Sequence, residues 1–147
     1  MSTHSLSLED RMDILELFAR YAWAYDGGDA EAYVRVFTED AVLADENGVL
    51  GTGHAEIGKA MMSFVDGWKG GISRHLNDQH VFYGNAQEAT VYCYWAVAVT
   101  NSQDGKTDWL SKGVYVTEVV KTDDAWLIKK RTFYRDRAQA GRVKLPA

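Results

Sequence analysis

Apolar and polar positions follow a helical repeat near the start of the chain. The apolar positions share one face at about 100° per residue: Leu8, Leu15, Phe18, Ala19, Ala22 and Tyr25. Ser7 and Asp10 are typical of a helix N-cap and an acidic first turn, and Gly27-Gly28 is typical of a helix end. We therefore predict a first helix that begins near Leu8 and ends near Gly27.

Two shorter helices and two short strands are predicted next. Asp29 can cap a second helix over Ala30–Phe37, and a third helix is predicted from Ala55 to about Val65. Between them, Asp40–Asp45 is typical of a short strand, and Asn47-Gly48 indicates a turn toward a second short strand.

The second half of the chain is rich in β-branched and aromatic residues. Four long strands are predicted, separated by turn signals: Arg74–Tyr83, Ala89–Thr100, Leu110–Lys121 and Ala125–Arg135. Because the links are short, antiparallel hairpins are favoured. Helices followed by such a meander predict an α+β fold, in which a curved sheet packs against N-terminal helices. We expect a single domain over residues 1–147, with its core at about 8–135 and a flexible tail at about 136–147.

Composition and charge narrow the function classes. The chain has 147 residues, of which 46% are hydrophobic and 25% charged, as in an ordinary globular domain. The net charge of −5 argues against a nucleic-acid partner, and no apolar run reaches the length of about 18 residues that a membrane span needs. A single cysteine, Cys93, and an N-terminus without signal-peptide features lead us to expect a cytoplasmic protein.

Positive charge collects at the end of the chain, where Arg131, Arg135 and Arg137 lie close together. These side chains could hold an anion, but a solvated final strand and tail is the favoured interpretation.

Asp26 is the most informative polar residue, because it falls inside the apolar face of the first helix. It is either a carboxylate that bonds the following turn or a site carboxylate. Tyr21 and Tyr25 lie beside the same face and are either core residues or site hydroxyls. His75, in a strand, is either structural or a base that Asp26 orients through an imidazole–carboxylate pair. His80, five positions on, is expected on the opposite face of the strand.

Other motifs give weaker signals. No metal-binding spacing of His or Cys occurs, and Gly51-Thr52-Gly53 lacks the rest of a phosphate-binding loop. We expect neither a metal nor another cofactor, and a dispersed site that includes His75 and His80 is the alternative for a metal. Cys93, in an aromatic-rich strand, is expected to be a buried hydrophobic residue and not a nucleophile. Core packing is the default role of the aromatic residues, but several are candidates for the walls of a ligand pocket: Trp23, Phe37, Trp68, Tyr92, Tyr94, Trp109 and Tyr115.

Several segments together resemble the SnoaL-like branch of the nuclear-transport-factor-2-like superfamily. They run from the first helix to the last strand: Tyr21-Ala-Trp-Ala-Tyr25-Asp26-Gly-Gly-Asp29, Phe37-Thr-Glu-Asp40-Ala41, Gly48, Gly53, Ile57, Arg74-His75, Gly113-Val-Tyr115 and Ala125–Arg131. The resemblance implies a cone-shaped α+β barrel with a pocket between the curved sheet and the first helix, and an assembly of two or more copies.

Relatives within that superfamily imply different reactions. Asp26 and His75 match the Asp and the basic His of scytalone dehydratase and bile-acid 7α-dehydratase, and Tyr25 and Tyr21 resemble tyrosines of these two enzymes. No second histidine occurs on the later strands, which departs from the scytalone dehydratase pattern. Compared with ketosteroid isomerase, Tyr21 matches the oxyanion tyrosine and Asp45 the base, although a turn carboxylate is the favoured interpretation of Asp45. Limonene-epoxide hydrolase fits poorly, since the Ala89–Thr100 strand lacks its Asp and Arg.

The leading hypothesis is a cofactor-independent dehydratase or related lyase that acts on a hydrophobic ring or polyketide-like substrate. His75 would be the base, Asp26 would orient it, and Tyr21 or Tyr25 would polarise a carbonyl. The alternatives are an isomerase that uses Asp45 or His75, and a non-catalytic domain for small-molecule binding or assembly. Since Ala89–Thr100 is apolar on both faces, we expect a homodimer or homotrimer formed through the sheet.

Overall fold

Three helices precede the long strands in the computed structural model, which describes residues 6–137 and 141–147. Helix α1 spans Leu8–Asp26, and it begins where the side chain of Ser7 accepts a hydrogen bond from the backbone N–H of Asp10. Helix α2 spans Ala30–Val34 and helix α3 spans Gly53–Gly67. The predicted bounds of α1 are thereby confirmed. Residues 138–140 of the expected tail lie outside the described residues.

The predicted end of α2 is wrong by three residues. The helix ends at Val34, and Phe37 already begins a strand in which it lies opposite Ile128. The backbone N–H of Ile128 donates to the carbonyl of Val36 at 2.8 Å. Pairing with the last strand therefore overrides the local helical pattern, because a buried backbone group needs this partner.

Within the described residues, six strands form one curved, open sheet. Their bounds are β1 Phe37–Asp45, β2 Gly48–Thr52, β3 Ile72–Gly84, β4 Glu88–Thr100, β5 Thr107–Thr122 and β6 Ala125–Arg135. The order across the sheet is β2-β1-β6-β5-β4-β3. All neighbours are antiparallel except β1 and β6, which are parallel. The predicted α+β class, with hairpins through the second half, is confirmed.

The main core lies between α1 and one face of this sheet. Ile14 and Phe18 of α1 are almost fully buried, as are Val91 and Cys93 of β4 and Ile128 of β6. Burial raises the pKa of the Cys93 thiol to about 11. Cys93 is therefore the buried hydrophobic residue that the sequence predicts, and its thiol is the protonated form at neutral pH.

A bulge in β3 changes which residues face the helices. The register with β4 shifts between Asp78 and Val81, and Gln79 has a φ of +58°. An extra residue in one strand moves the following side chains to the other face. His80 consequently packs near the Phe18 ring of α1, at 5.8 Å between centroids, on the same side as His75. The prediction that the two histidines face opposite ways is therefore wrong.

A second irregularity, near Lys129 in β6, has the same effect. Glu118 pairs with Lys130 but the next residue of β5, Val119, pairs with Ile128. After this shift the inward positions include Arg131, whose side chain is completely buried. The favoured interpretation of a solvated basic end is wrong for Arg131, because the bulge turns it into the core.

Candidate active site

An aromatic cavity of about 330 Å³ opens between α1, the end of α3 and the inner face of the sheet. Tyr25 of α1 and Trp68, just after α3, form one wall, with their rings stacked at 5.7 Å. Trp95 and Tyr115 form another, stacked at 5.6 Å between centroids. The cavity also contains His75, so it joins a titratable group to a largely apolar space.

Asp26 and His75 are in direct contact at this cavity. The Oδ1 atom of Asp26 lies 2.6 Å from Nδ1 of His75. Ser73 donates its hydroxyl to the same Oδ1 at 2.7 Å, and the backbone N–H of His75 donates to Oδ2 at 2.8 Å. The carboxylate is therefore held by β3, and not by the turn that follows α1.

The position of Asp26 is unfavourable for the helix alone. It is the last residue of α1, where the helix dipole disfavours a negative charge and no basic residue of the last turn compensates. Burial raises the pKa of Asp26, but the hydrogen bonds from His75 and Ser73 outweigh this and hold the pKa below its usual value. Asp26 is thus an ionised acceptor whose partners are all on β3.

The ionised carboxylate determines which nitrogen of His75 carries a hydrogen. An ionised Asp only accepts, so Nδ1–H of His75 donates to it. Nε2 is then the nitrogen with the free lone pair. The imidazole packs at 4.2 Å from the Tyr25 ring. This arrangement can accept a proton at Nε2 while the carboxylate stabilises the resulting cation.

Tyrosines cluster behind the histidine. The Tyr33 hydroxyl donates to the Tyr21 hydroxyl at 3.2 Å, and the Tyr21 ring contacts those of Tyr25 and Tyr115 at 6.0 Å. Burial raises the pKa of Tyr25, Tyr33 and Tyr115 above the ordinary tyrosine value. These three phenols are therefore neutral hydrogen-bond donors at physiological pH.

A buried cation lies beneath the tyrosines. The guanidinium carbon of Arg131 is 4.1 to 4.3 Å from the ring centroids of Phe18, Tyr21 and Tyr115. Its Nε donates to the Thr117 hydroxyl at 3.0 Å, whereas Nη1 and Nη2 are buried without a partner in residues 6–137 or 141–147. The cation thus polarises two phenols that line the cavity.

Asp45 lies in a different cluster, next to the turn between β1 and β2. Its Oδ2 accepts from Arg135 at 3.0 Å, and its Oδ1 accepts from the backbone N–H of Asn47 at 2.7 Å. Arg135 also binds Glu46 at 2.8 Å and lines the cavity. Each oxygen of Asp45 thus accepts one hydrogen bond, and the bond from Asn47 is the one expected of a turn carboxylate.

The predicted wall residues divide into two groups. Trp68 and Tyr115 line the cavity. Phe37 does not line it, because it is buried in the core, with its ring 6.0 Å from that of Tyr21. The prediction is also wrong for the other four residues, which do not line this cavity: Trp23, Tyr92, Tyr94 and Trp109.

The reasons for these four corrections are geometric. Trp23 is 83% exposed on the outer side of α1, in a separate, shallower depression of about 810 Å³. Tyr92 and Tyr94 alternate with inward-facing residues of β4, so they point outward. A register shift opposite Val97 and Ala98 turns Trp109 out, where it is 65% exposed.

Sequence reasoning missed several residues that line the cavity: Phe64, Trp95, Ser111, Phe133 and Arg135. Trp95 could have been found, since it is two residues after the predicted buried Cys93 and so shares its strand face. Arg135 and Phe133 follow the bulge in β6, and no local signal marks that bulge.

The family model of the SnoaL-like domain matches residues 6–132, and the chain therefore belongs to the SnoaL-like family. No curated protein matches significantly. Among the described residues, no helix is both long and apolar enough to cross a membrane.

Solved structures share the fold. A protein of unknown function with a cystatin-like fold from Nostoc punctiforme is 25% identical with a TM-score of 0.78, covering 91% of this chain and 96% of that one. Aln2 from a Streptomyces species is 21% identical with a TM-score of 0.82, covering 88% and 93%. A proposed scytalone dehydratase from Novosphingobium aromaticivorans is 19% identical with a TM-score of 0.75, covering 88% and 86%.

Proposed function

We propose that this protein is a cofactor-independent lyase that dehydrates a hydrophobic ring or polyketide-like carbonyl compound. One observation carries the proposal: the Nδ1 of His75 is held 2.6 Å from an ionised Asp26, and the imidazole lines an aromatic cavity. The fold shared with a proposed scytalone dehydratase supports the same class of reaction.

The proposed reaction begins at a C–H bond next to a carbonyl. Nε2 of His75 takes the proton, and the electron pair forms an enolate whose oxygen a tyrosine hydroxyl, from Tyr21 or Tyr25, stabilises. The enolate then re-forms the carbonyl and a carbon–carbon double bond as the β-hydroxyl departs. The proton on Nε2 is returned to that oxygen, so water leaves and the histidine is regenerated. Asp26 stabilises the imidazolium between the two steps.

The isomerase alternative finds less support in this site. A base at Asp45 would have to act while Arg135 and the backbone N–H of Asn47 each donate to one of its oxygens, and Asp45 does not line the cavity. A proton shuttle through His75 alone would use the same imidazole and would differ only in where the proton is returned.

The test is a screen of β-hydroxy ketones with hydrophobic rings, followed by His75→Gln. Replacing the general base should lower turnover by about 10²-fold or more. His80→Gln is the matched control, since His80 lies on the same strand and faces the helices but does not line the cavity. Equal activity of the two folded variants would contradict the proposed role of His75.

We also propose that two or three copies assemble through the outer face of the sheet. Leu76 and Tyr94 are 55% and 60% exposed there, which is unusual for large apolar side chains of neighbouring strands. A mass of 16.5 kDa in light scattering at every concentration would contradict assembly. Tyr94→Lys should shift an assembled protein toward the monomer, whereas Trp23→Lys, on α1, should not.

A further inference from the structure

Arg135 brings a permanent positive charge to the wall of a largely apolar cavity. It follows Phe133 by two positions in β6, so both side chains lie on the inner face of the sheet, and both residues line the cavity. The guanidinium carbon of Arg135 is 4.8 Å from the centre of the Phe133 ring, and the side chain is 20% exposed. Among the described residues that line the cavity, Arg135 alone has such a charge.

Two carboxylates bind one nitrogen of this guanidinium. Nη1 of Arg135 donates to Asp45 at 3.0 Å and to Glu46 at 2.8 Å. An arginine side chain has five N–H donors, of which Nη1 carries two. Nε and Nη2 carry the other three and have no acceptor in the described residues. Neither nitrogen is among the buried polar atoms that lack a partner, so both are accessible to water.

The accessible donors are arranged as a pair. In a planar guanidinium, Nε–H and one N–H of Nη2 point in the same direction, along the edge opposite Nη1. This edge matches the two oxygens of a carboxylate, which it can bind through two parallel hydrogen bonds. A ketone or an amide offers a single oxygen to the same two donors. The geometry of the accessible edge therefore favours an acid group.

The charges around Arg135 are compatible with an anionic ligand. Arg137 lies beside the same cluster, with its Nε 3.1 Å from Glu46. The two arginines thus balance the charges of Asp45 and Glu46, and an incoming carboxylate meets no net negative charge. The charge of Arg135 also reaches the wall formed by α1. Burial raises the pKa of Tyr25, and the guanidinium opposes this rise.

Arg135 and His75 lie on different strands of the cavity wall. Strands β5 and β4 separate β6 from β3, so the two backbones are three strand spacings apart, or about 14 Å along the sheet. The stacked rings of Tyr115 and Trp95 lie on these two intervening strands. The cavity volume of about 330 Å³ is at the lower end for small-ligand sites. A flat compound of two fused rings with a polar group at each end suits this space.

We propose that Nε–H and Nη2–H of Arg135 bind a carboxylate of the substrate, so that the protein selects ring compounds that carry an acid group. This inference rests on the proposed function for the location of the substrate and of its reacting carbon at His75. Arg135 is then a binding residue for one end of the substrate, while the C–H bond at the other end approaches Nε2 of His75.

The first experiment compares two ligands of nearly the same shape by calorimetry at neutral pH. 2-Naphthoate carries the carboxylate, and 2-naphthamide replaces it with a neutral amide. The unmodified protein should bind 2-naphthoate about tenfold more tightly, as expected of hydrogen bonds to a charged group. Equal affinities, or tighter binding of the amide, would overturn the inference. This comparison needs no variant, so it decides the question even if variants of Arg135 do not fold.

The second experiment places the carboxylate at Arg135. Arg135→Gln should weaken the binding of 2-naphthoate about tenfold or more and that of 2-naphthamide less than about threefold. Arg135→Lys keeps the charge without the parallel donors, so its affinity for 2-naphthoate should fall between those of Arg135→Gln and the unmodified protein. Equal losses for both ligands in Arg135→Gln would mean that Arg135 only packs against them, and no loss would place the carboxylate elsewhere.

Arg137→Gln is the matched control, because Arg137 binds the same Glu46 but is 57% exposed and does not line the cavity. It should weaken the binding of 2-naphthoate less than about twofold, since an exposed ion pair contributes little. A loss as large as that of Arg135→Gln would show that the general charge of the cluster, and not a contact with Arg135, attracts the ligand.

His75→Gln separates this inference from the proposed function. If 2-naphthoate binds through Arg135 while no variant of His75 affects any reaction, the cavity binds ring acids and the catalytic proposal fails alone. If His75→Gln abolishes turnover while Arg135→Gln leaves the affinity for 2-naphthoate unchanged, the inference about Arg135 fails alone.

Discussion

His75 and His80 lie on the same strand and face the same helices, yet their surroundings differ. His75 donates to a carboxylate and lines a cavity. His80 packs between the rings of Phe18 and Phe82, and its Nε2 is buried without a partner in the described chain. Burial lowers the pKa of His80, and the nearby charge of Arg131 lowers it further, with a smaller opposing effect from Asp78. A carboxylate partner and access to the cavity therefore make an imidazole suited to proton transfer. A position on this strand does not by itself provide either.

The largest effect is expected from a substitution that takes away the carboxylate partner of His75, which His80 lacks. Asp26→Asn leaves His75 without an anionic partner, because a neutral amide neither stabilises the imidazolium nor fixes the tautomer. Turnover should fall by about 10²-fold. The loss of charge-assisted hydrogen bonds should also lower the free energy of unfolding by about 2 kcal/mol. Steady-state kinetics and urea denaturation measure the two effects.

The same variant has a pH signature. The folded-state pKa of Asp26 is lowered, so its contribution to stability is present above the unfolded-state value of about 3.9 and is lost as the pH falls through the lowered pKa. Acid unfolding curves of the normal protein should show this loss, and those of Asp26→Asn should show a smaller one. Identical acid unfolding of the two proteins would contradict the ionised pair.

A smaller effect is expected at His80. Since its folded-state pKa is lowered, the unfolded state binds more protons at mildly acidic pH. The stability that His80 contributes is present above the unfolded-state pKa of about 6.5 and is lost as the pH falls from there. Denaturant midpoints of the normal protein and of His80→Gln should therefore converge as the pH is lowered from 7.5 to about 5. Constant separation would show that His80 does not titrate in this way.

The smallest effect is expected at the other carboxylate near the cavity. Asp45 is bound to Arg135 and not to a histidine, so Asp45→Asn should change turnover less than about threefold, well below the effect of losing a general base. A loss as large as that of His75→Gln would favour the isomerase hypothesis instead. Asp40→Asn, at an exposed carboxylate of β1, is the matched control.

The sequence predicted the helix that contains Asp26 and the strand that contains His75, because both follow from local periodicity and capping. It also suggested their contact, from the place of Asp26 on the apolar face of the helix together with the resemblance to known enzymes. The faces of His80 and Arg131 were wrong for one shared reason. A bulge depends on pairing with a neighbouring strand, and no local pattern shows where the extra residue falls. The predictions for Trp109 and Arg135 were wrong for the same reason. A register shift lies next to Trp109 in β5, and another lies before Arg135 in β6.

The bulge at Gln79 also changes which alternate positions of β3 face the helices. Before it, the odd-numbered residues Ser73 and His75 face the helices; after it, the even-numbered His80 and Phe82 do. Deleting one residue at this point would remove the bulge. Regular alternation would then run along the whole strand, and one half of β3 would turn its inward side chains outward. The chain can therefore carry the histidine of the cavity and the packing residues of the core on one continuous strand, while each half keeps its own parity. Engineering that moves a functional side chain along β3 must count positions separately on the two sides of Gln79.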